Sequence, residues 1–221
     1  MTEKAGIRSD VRRGALVVGF GALAYMAGDL FDVLGLVENL YDFQGAGARV
    51  EALDAKQTAW DISHVLMGVG HIVAAVGFWL LGRSLASASS DRRSQVTATV
   101  VGWAGLATAA WAVNSYFAIV RTSEEVVAAL EDPTAEMIVT GAIYLIGAIV
   151  LFVALGMTLL RLRHQRWLGW ILIVVGPLAT LTIIGVGPSL PNLLMLLLGL
   201  AISIHPYPSP NRASNPVSAR P

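Results

Sequence analysis

Six successive apolar runs constrain this chain more than any other feature of its sequence. They fall at Gly14–Val37, Ala59–Leu81, Val96–Val120, Glu136–Leu160, Trp167–Gly185 and Pro188–Ile204. A helix needs about 20 apolar residues to cross the hydrocarbon core of a bilayer. Within that core the helix is the form a single run can take, because it satisfies every backbone group internally. Of the 221 residues 55% are hydrophobic and only 14% charged, against about 25% charged in a soluble domain, and the charges gather between the runs. The expected fold class is therefore all-α, a polytopic membrane protein built as a bundle of six transmembrane helices. Residues 1–13 form a polar N-terminal segment, 14–204 the transmembrane domain, and 205–221, with five prolines, a disordered tail.

Charge between the runs predicts orientation. Residues 1–13, 82–95 and 161–166 hold ten of the fifteen Lys and Arg, whereas 38–58 and 121–135 hold only Arg49, Lys56 and Arg121. Basic residues stay on the cytoplasmic side, so both termini are expected in the cytoplasm. Arginine outnumbers lysine 13 to 2, a habit of GC-rich bacterial genomes, and the expected location is a bacterial plasma membrane. Arg12-Arg13 and Ala22-Leu23-Ala24 imitate parts of a signal peptide. The run continues past them and five more follow, so the first helix is expected to remain.

Local signals add detail. Residues 48–57 and 123–131 read as short helices in the outer loops, and Asp132-Pro133 as an N-cap with proline at the first helical position. Pro177 should kink the fifth run by removing a backbone donor. The sixth run is short, so it is expected to thin the bilayer locally or to be re-entrant. Small residues four apart, such as Ala24/Gly28, Gly70/Ala74, Ala98/Gly102 and Gly105/Ala109, would let helix backbones approach closely. Tyr41, Trp60, Tyr116 and Phe117 on one side and Trp79, Trp167 and Trp170 on the other form interfacial belts.

One run carries groups that lipid does not tolerate. Asp61, His64 and His71 fall within roughly 80° of one another on a helix. Counting from the outer end at about 1.5 Å per residue, Asp61 lies roughly 3 Å deep, His64 and Asp32 roughly 8 Å, Asp29 roughly 12 Å and His71 roughly 18 Å, near the midplane. Tyr25 is level with His71. Asn114, Thr140, Tyr144, Thr180, Thr182 and Asn192 all fall in the outer half, and the inner half offers little beyond hydroxyls. The candidate site is Asp29, Asp32, Asp61, His64, His71, Asn114, Tyr25 and Tyr144, with Asp29 and Asn114 at the right depth to partner His64.

Three readings of this cluster stay open. A pathway or pocket for a solute, ion or proton, open to the outer face, follows from the rule that intramembrane ionisable residues are functional candidates. A non-catalytic accessory subunit would use the same groups as an interhelical polar clamp. A metal-dependent intramembrane enzyme would draw on Asp29, His64 and His71 as ligands for zinc or manganese, although His64 and His71 stand two turns apart. No cofactor is otherwise expected. The absence of cysteine excludes disulfides, thiolate zinc, iron–sulfur clusters and covalent haem. No phosphate-binding glycine loop and no serine-hydrolase elbow is present, and a net charge of zero gives no sign of nucleic acid. The expected partners are the lipid bilayer and a small solute or ion. Oligomeric state and protein partners are not legible in the sequence.

Overall fold

The computed structural model of the chain describes residues 2–33, 40–89, 91–163, 165–182 and 189–204. The expected tail 205–221, the ends of the first and fifth runs and the Asp32 side chain lie outside the described residues. Among those described there is no strand. The helices are α1 (Thr2–Val33), α2 (Ala46–Ala55), α3 (Gln57–Ala88), α4 (Arg92–Ala107), α5 (Ala110–Val120), α6 (Ser123–Glu131), α7 (Ala135–Arg161), α8 (Arg166–Leu181) and α9 (Ser189–Ile204), with a 3-10 turn at Leu40–Asp42. Four stretches are long and apolar enough to cross a membrane: Ser9–Phe31, Gln57–Ala88, Arg92–Val120 and Ala135–Arg161. The helices α8 and α9 have 16 residues each, about 24 Å of rise.

Two boundaries differ from expectation. The third run is two helices, because the Thr108 hydroxyl donates to Gly105 O at 2.6 Å and the backbone N–H of Thr108 and of Ala109 each bond three residues back. A side-chain bond to the local carbonyl competes with the helical ladder and tightens the turn. The cap of α7 is Thr134 and not Asp132: the Thr134 hydroxyl accepts from Met137 N. Asp132 instead ends α6, its N–H bonded to Ala128 O. Both short loop helices form, the first at Ala46–Ala55 against the expected 48–57, and α6 over 123–131 as expected, behind a complete Thr122–Glu125 capping box. Pro177 lies inside α8, which is helical on both sides of it.

Close packing begins with a glycine seam. Gly14, Gly21 and Gly28 repeat every seven residues on α1, and Ser63, Gly70 and Gly77 do so on the antiparallel α3. A methyl group on Gly21 would sit 2.6 Å from Gly70 O, one on Gly70 2.5 Å from Tyr25 N, and one on Gly77 2.5 Å from Val18 N. These are backbone atoms, which cannot swing aside. A seven-residue repeat keeps one seam between two helices as they coil, and small residues replace the hydrophobic effect that lipid cannot supply. Ser63 continues the seam by donating to Gly28 O at 3.0 Å.

The other helices extend α1 and α3 into a ring. Helix α9 lies on α1 with Gly199 against Ala15 and Gly19, α4 on α3 with Gly82 against Gly102, α7 on α4 with Gly147 against Ala107, and α8 on α7 with Gly156 against Gly169. Helix α8 then meets α9 sparingly. Inside are Tyr25, Phe78, Leu81, Tyr144, Leu151, Phe152 and Met195, all fully buried. Outside, Phe20, Val69, Ile72, Ile146, Leu178 and Leu197 stand exposed, so the bundle is apolar on both its surfaces, as a lipid-facing helix set must be.

The register sets depths. Gly169 packs at Gly156, and Gly176 at Phe152, which brings the C-terminal turn of α8 level with Tyr144. At its other end α9 packs on Ala15, and its Asn192 reaches His71. Both short helices thus run from the arginine-rich end of the bundle only as far as the middle of α3. Over the opposite end lies a small cap, where Leu40, Ala52, Leu53 and Val126 form a second core against Phe43, Trp60 and Leu130. Arg49 ties it together with bonds to Glu131 Oε1 at 2.9 Å and Phe43 O at 3.2 Å, and Ser123 bonds Asp54.

Candidate functional site

His71 sits where the glycine seam places it. With no side chain at Gly70 or Gly21, α1 and α3 approach until the Tyr25 and His71 rings meet edge to face, 4.8 Å between centroids and 79° between planes. Three more helices contribute one residue each. Tyr144 of α7 meets the imidazole at 5.3 Å and 79°, Trp111 of α5 lies at 6.4 Å, and Asn192 of α9 brings its amide nitrogen to 3.4 Å from His71 Nε2. Trp111 and Tyr144 also pack on each other at 5.3 Å, and the Tyr144 hydroxyl lies against the Asn192 carboxamide. His71, Tyr144, Asn192 and Tyr25 are all fully buried.

The tautomer follows from the partners. His71 Nδ1 faces Met67 O at 3.0 Å, and a carbonyl oxygen only accepts, so Nδ1 carries the proton. The Nε2 lone pair is then left to accept from Asn192. That inter-helix bond, at 3.4 Å, exceeds the usual range of about 2.7–3.2 Å and is correspondingly weak. The arrangement is a proton-acceptor nitrogen in an aromatic box, held by its own helix on one side and by a replaceable donor on the other.

The remaining candidates form a rim nearer the capped end. His64, half-buried, turns its Nδ1 to Trp60 O at 2.9 Å and stacks on the Trp60 ring at 4.1 Å. Trp60 is itself fixed by donating to Ala118 O at 3.0 Å. Asn114 accepts from Thr140 Oγ1 at 2.5 Å, joining α5 to α7 one turn beyond Trp111 and Tyr144. Asp29 and Asp61 are half-buried. The α1–α3 register puts Asp29 level with Ile62, and among the described residues no hydrogen bond joins Asp29 or Asn114 to His64. No three His, Cys, Asp or Glu side chains among the described residues converge as a metal site would require. Of the sequence candidates, then, the structure gathers Tyr25, His71 and Tyr144, and leaves Asp29, Asp61, His64 and Asn114 at the rim.

Two hub residues carry sequence signals that the charge pattern does not weigh. Trp111 is a tryptophan about 13 Å from the end of its run, away from either interfacial belt. Asn192 is the one carboxamide in the leucine-rich sixth run. Four helices long and apolar enough to cross a membrane point to a membrane protein. No protein-family model, no curated protein and no solved structure matches this chain.

Proposed function

We propose that this chain is a multi-pass protein of a bacterial plasma membrane with both termini cytoplasmic, and that it binds a proton or a small hydrogen-bonding solute at His71. In this reading α1, α3, α4–α5 and α7 cross the bilayer. The described parts of α8 and α9 reach from the cytoplasmic side about as far as the midplane. The six-span alternative needs α8 and α9 to cross as well, with about 24 Å of helix each.

The observation that carries the functional reading is the 3.4 Å contact between His71 Nε2 and Asn192. A buried imidazole with its proton fixed on Nδ1 offers Nε2 as an acceptor, and a ligand N–H or O–H that bonds it more closely than Asn192 displaces a weak partner. The rim residues Asp29, Asp61, His64 and Asn114 supply a polar approach from the outer side. The second reading is a structural clamp in an accessory subunit. It draws support from the same residues, since one side chain from each of five helices meets here, and interhelical polar bonds in membranes fix register.

Cysteine labelling separates the two. The native chain has no cysteine, so His71→Cys and Asn192→Cys each carry a single reporter. A solute site predicts that a small membrane-impermeant thiol reagent added outside labels both, and that labelling from the cytoplasmic side is slow. Protection of both from the outer side, with the protein folded, would overturn the solute site.

A further inference from the structure

We propose that the cleft between α3 and α4 at the arginine-rich end binds the phosphate of an anionic phospholipid. The cleft is lined by Trp79, Arg83 and Ala86 of α3 and by Thr99, Gly102 and Trp103 of α4, and it encloses ≈ 260 Å³. Gly102 adds no side chain to its floor, where a methyl would rest in ordinary contact with Trp79 at 3.7 Å. Among the described residues that line it, Arg83 is the one charge. The guanidinium lies over the Trp79 ring, 4.6 Å from the centroid, which holds the planar fork in place and leaves its edge N–H donors available. The ion pairs among the described residues are Arg13–Asp10 and Arg49–Glu131, so none joins Arg83 to a carboxylate. Arg161, at the same end of the bundle, does not line the cleft and donates to Arg93 O at 2.9 Å.

Position selects the ligand. Arg83 stands about 34 Å along α3 from Trp60, so a bilayer with Trp60 at one interface has Arg83 in the opposite headgroup zone. The wall on the far side is Trp103, 68% exposed, with Val96 two turns away on the same face, 54% exposed. An anion that satisfies Arg83 here must bring an apolar tail to cover Trp103, and a phospholipid does both. Basic pockets between helices on the cytoplasmic side are suited to such headgroups.

This inference rests on the membrane reading above, and one set of measurements tells the two apart. The protein is reconstituted into phosphatidylcholine vesicles and washed with alkaline carbonate; loss of the chain from the vesicles would overturn both. Native mass spectrometry in detergent with equimolar phosphatidylglycerol and phosphatidylcholine then counts bound lipid. Roughly five-fold preference for phosphatidylglycerol is expected, corresponding to about 1 kcal/mol for one arginine at an anionic headgroup. Arg83→Gln should abolish it and Arg92→Gln, which removes a charge outside the cleft, should not. Gly102→Leu fills the cleft with Arg83 intact and should abolish it too, a second variant should Arg83→Gln fail to fold. Glycerol 3-phosphate, which has no tail, should not compete. A retained chain with equal binding of the two lipids, or a preference equally reduced by Arg92→Gln, would sink the lipid site alone.

Discussion

His64 and His71 lie on one face of α3, seven residues apart, and each turns Nδ1 to the carbonyl oxygen four residues back, at 2.9 and 3.0 Å. Beyond that shared bond they diverge. His64 finds its second contact on its own helix, the Trp60 ring at 4.1 Å, and remains half-buried. His71 is fully buried, and its neighbours come from α1, α5, α7 and α9. Near the end of a helix, a polar side chain can be accommodated by its own preceding turn. In the middle of the bundle that turn satisfies only one nitrogen, and the other needs a neighbouring helix. The local bond fixes which nitrogen is the acceptor; the bundle fixes what it faces.

Substitutions can separate these two environments at several levels, and the seam beneath His71 should give the largest effect. Gly70→Leu drives a side chain into the α1 backbone where a methyl already meets Tyr25 N at 2.5 Å. It is expected to lower stability by about 3 kcal/mol or more, read as thermal unfolding in detergent. Gly141, where an added methyl would meet nothing within 4 Å, is the control. Gly141→Ala should be neutral or stabilising by about 0.4–1 kcal/mol. Equal losses in the two variants would show that the seam does not hold α1 and α3 together.

The cross-helix bond comes next. Asn192→Leu leaves His71 Nε2 buried without its donor and should cost about 1–3 kcal/mol. His64→Gln, at the rim, should stay within about 0.5 kcal/mol of the parent. If denaturation shows the rim substitution to be the costlier one, the hub is not where the bundle is held.

Much of the fold was legible. Apolar runs of about 20 residues can hardly be anything but helices in lipid, and the short helix read at 123–131 is there, whereas the cap read at Asp132 belongs to Thr134. The break at Thr108 was not, since it depends on one hydroxyl choosing Gly105 O over solvent or a neighbour. The seven-residue glycine repeat was present to be read, but pairs four apart disguise it until two helices are laid antiparallel. For the site, counting depth put Tyr25 level with His71, and the rings are 4.8 Å apart. Depth alone could not separate Asn114, which bonds Thr140, from Asn192, which faces His71. Which side of a helix turns inward is decided by partners far away in the chain.

The smallest expected effect belongs to a third polar group, wholly local. Asp91 caps α4, accepting from Ser94 Oγ at 2.5 Å and Ser94 N at 2.9 Å, and these bonds hold its carboxyl below the usual carboxylate range. A depressed carboxyl stabilises the fold above its unfolded pKa, and that contribution disappears as pH falls through the lower, folded value. Asp91→Ala should therefore lower the unfolding temperature slightly at neutral pH, and the gap from the parent should close as the solution is made acid. A gap that widens on acidification would remove the carboxylate cap as its cause.

That His71 holds its proton on Nδ1 and offers Nε2 to Asn192 is open to direct measurement. Nitrogen-15 NMR of histidine-labelled protein distinguishes a protonated ring nitrogen from a bare one, with His71→Gln and His64→Gln assigning the signals. An Nδ1–H tautomer is expected for both histidines, together with an Asn192→Leu variant in which the Nε2 resonance of His71 moves while that of His64 stays. An Nε2–H tautomer at His71, or a response to Asn192→Leu shared equally by both rings, would contradict it.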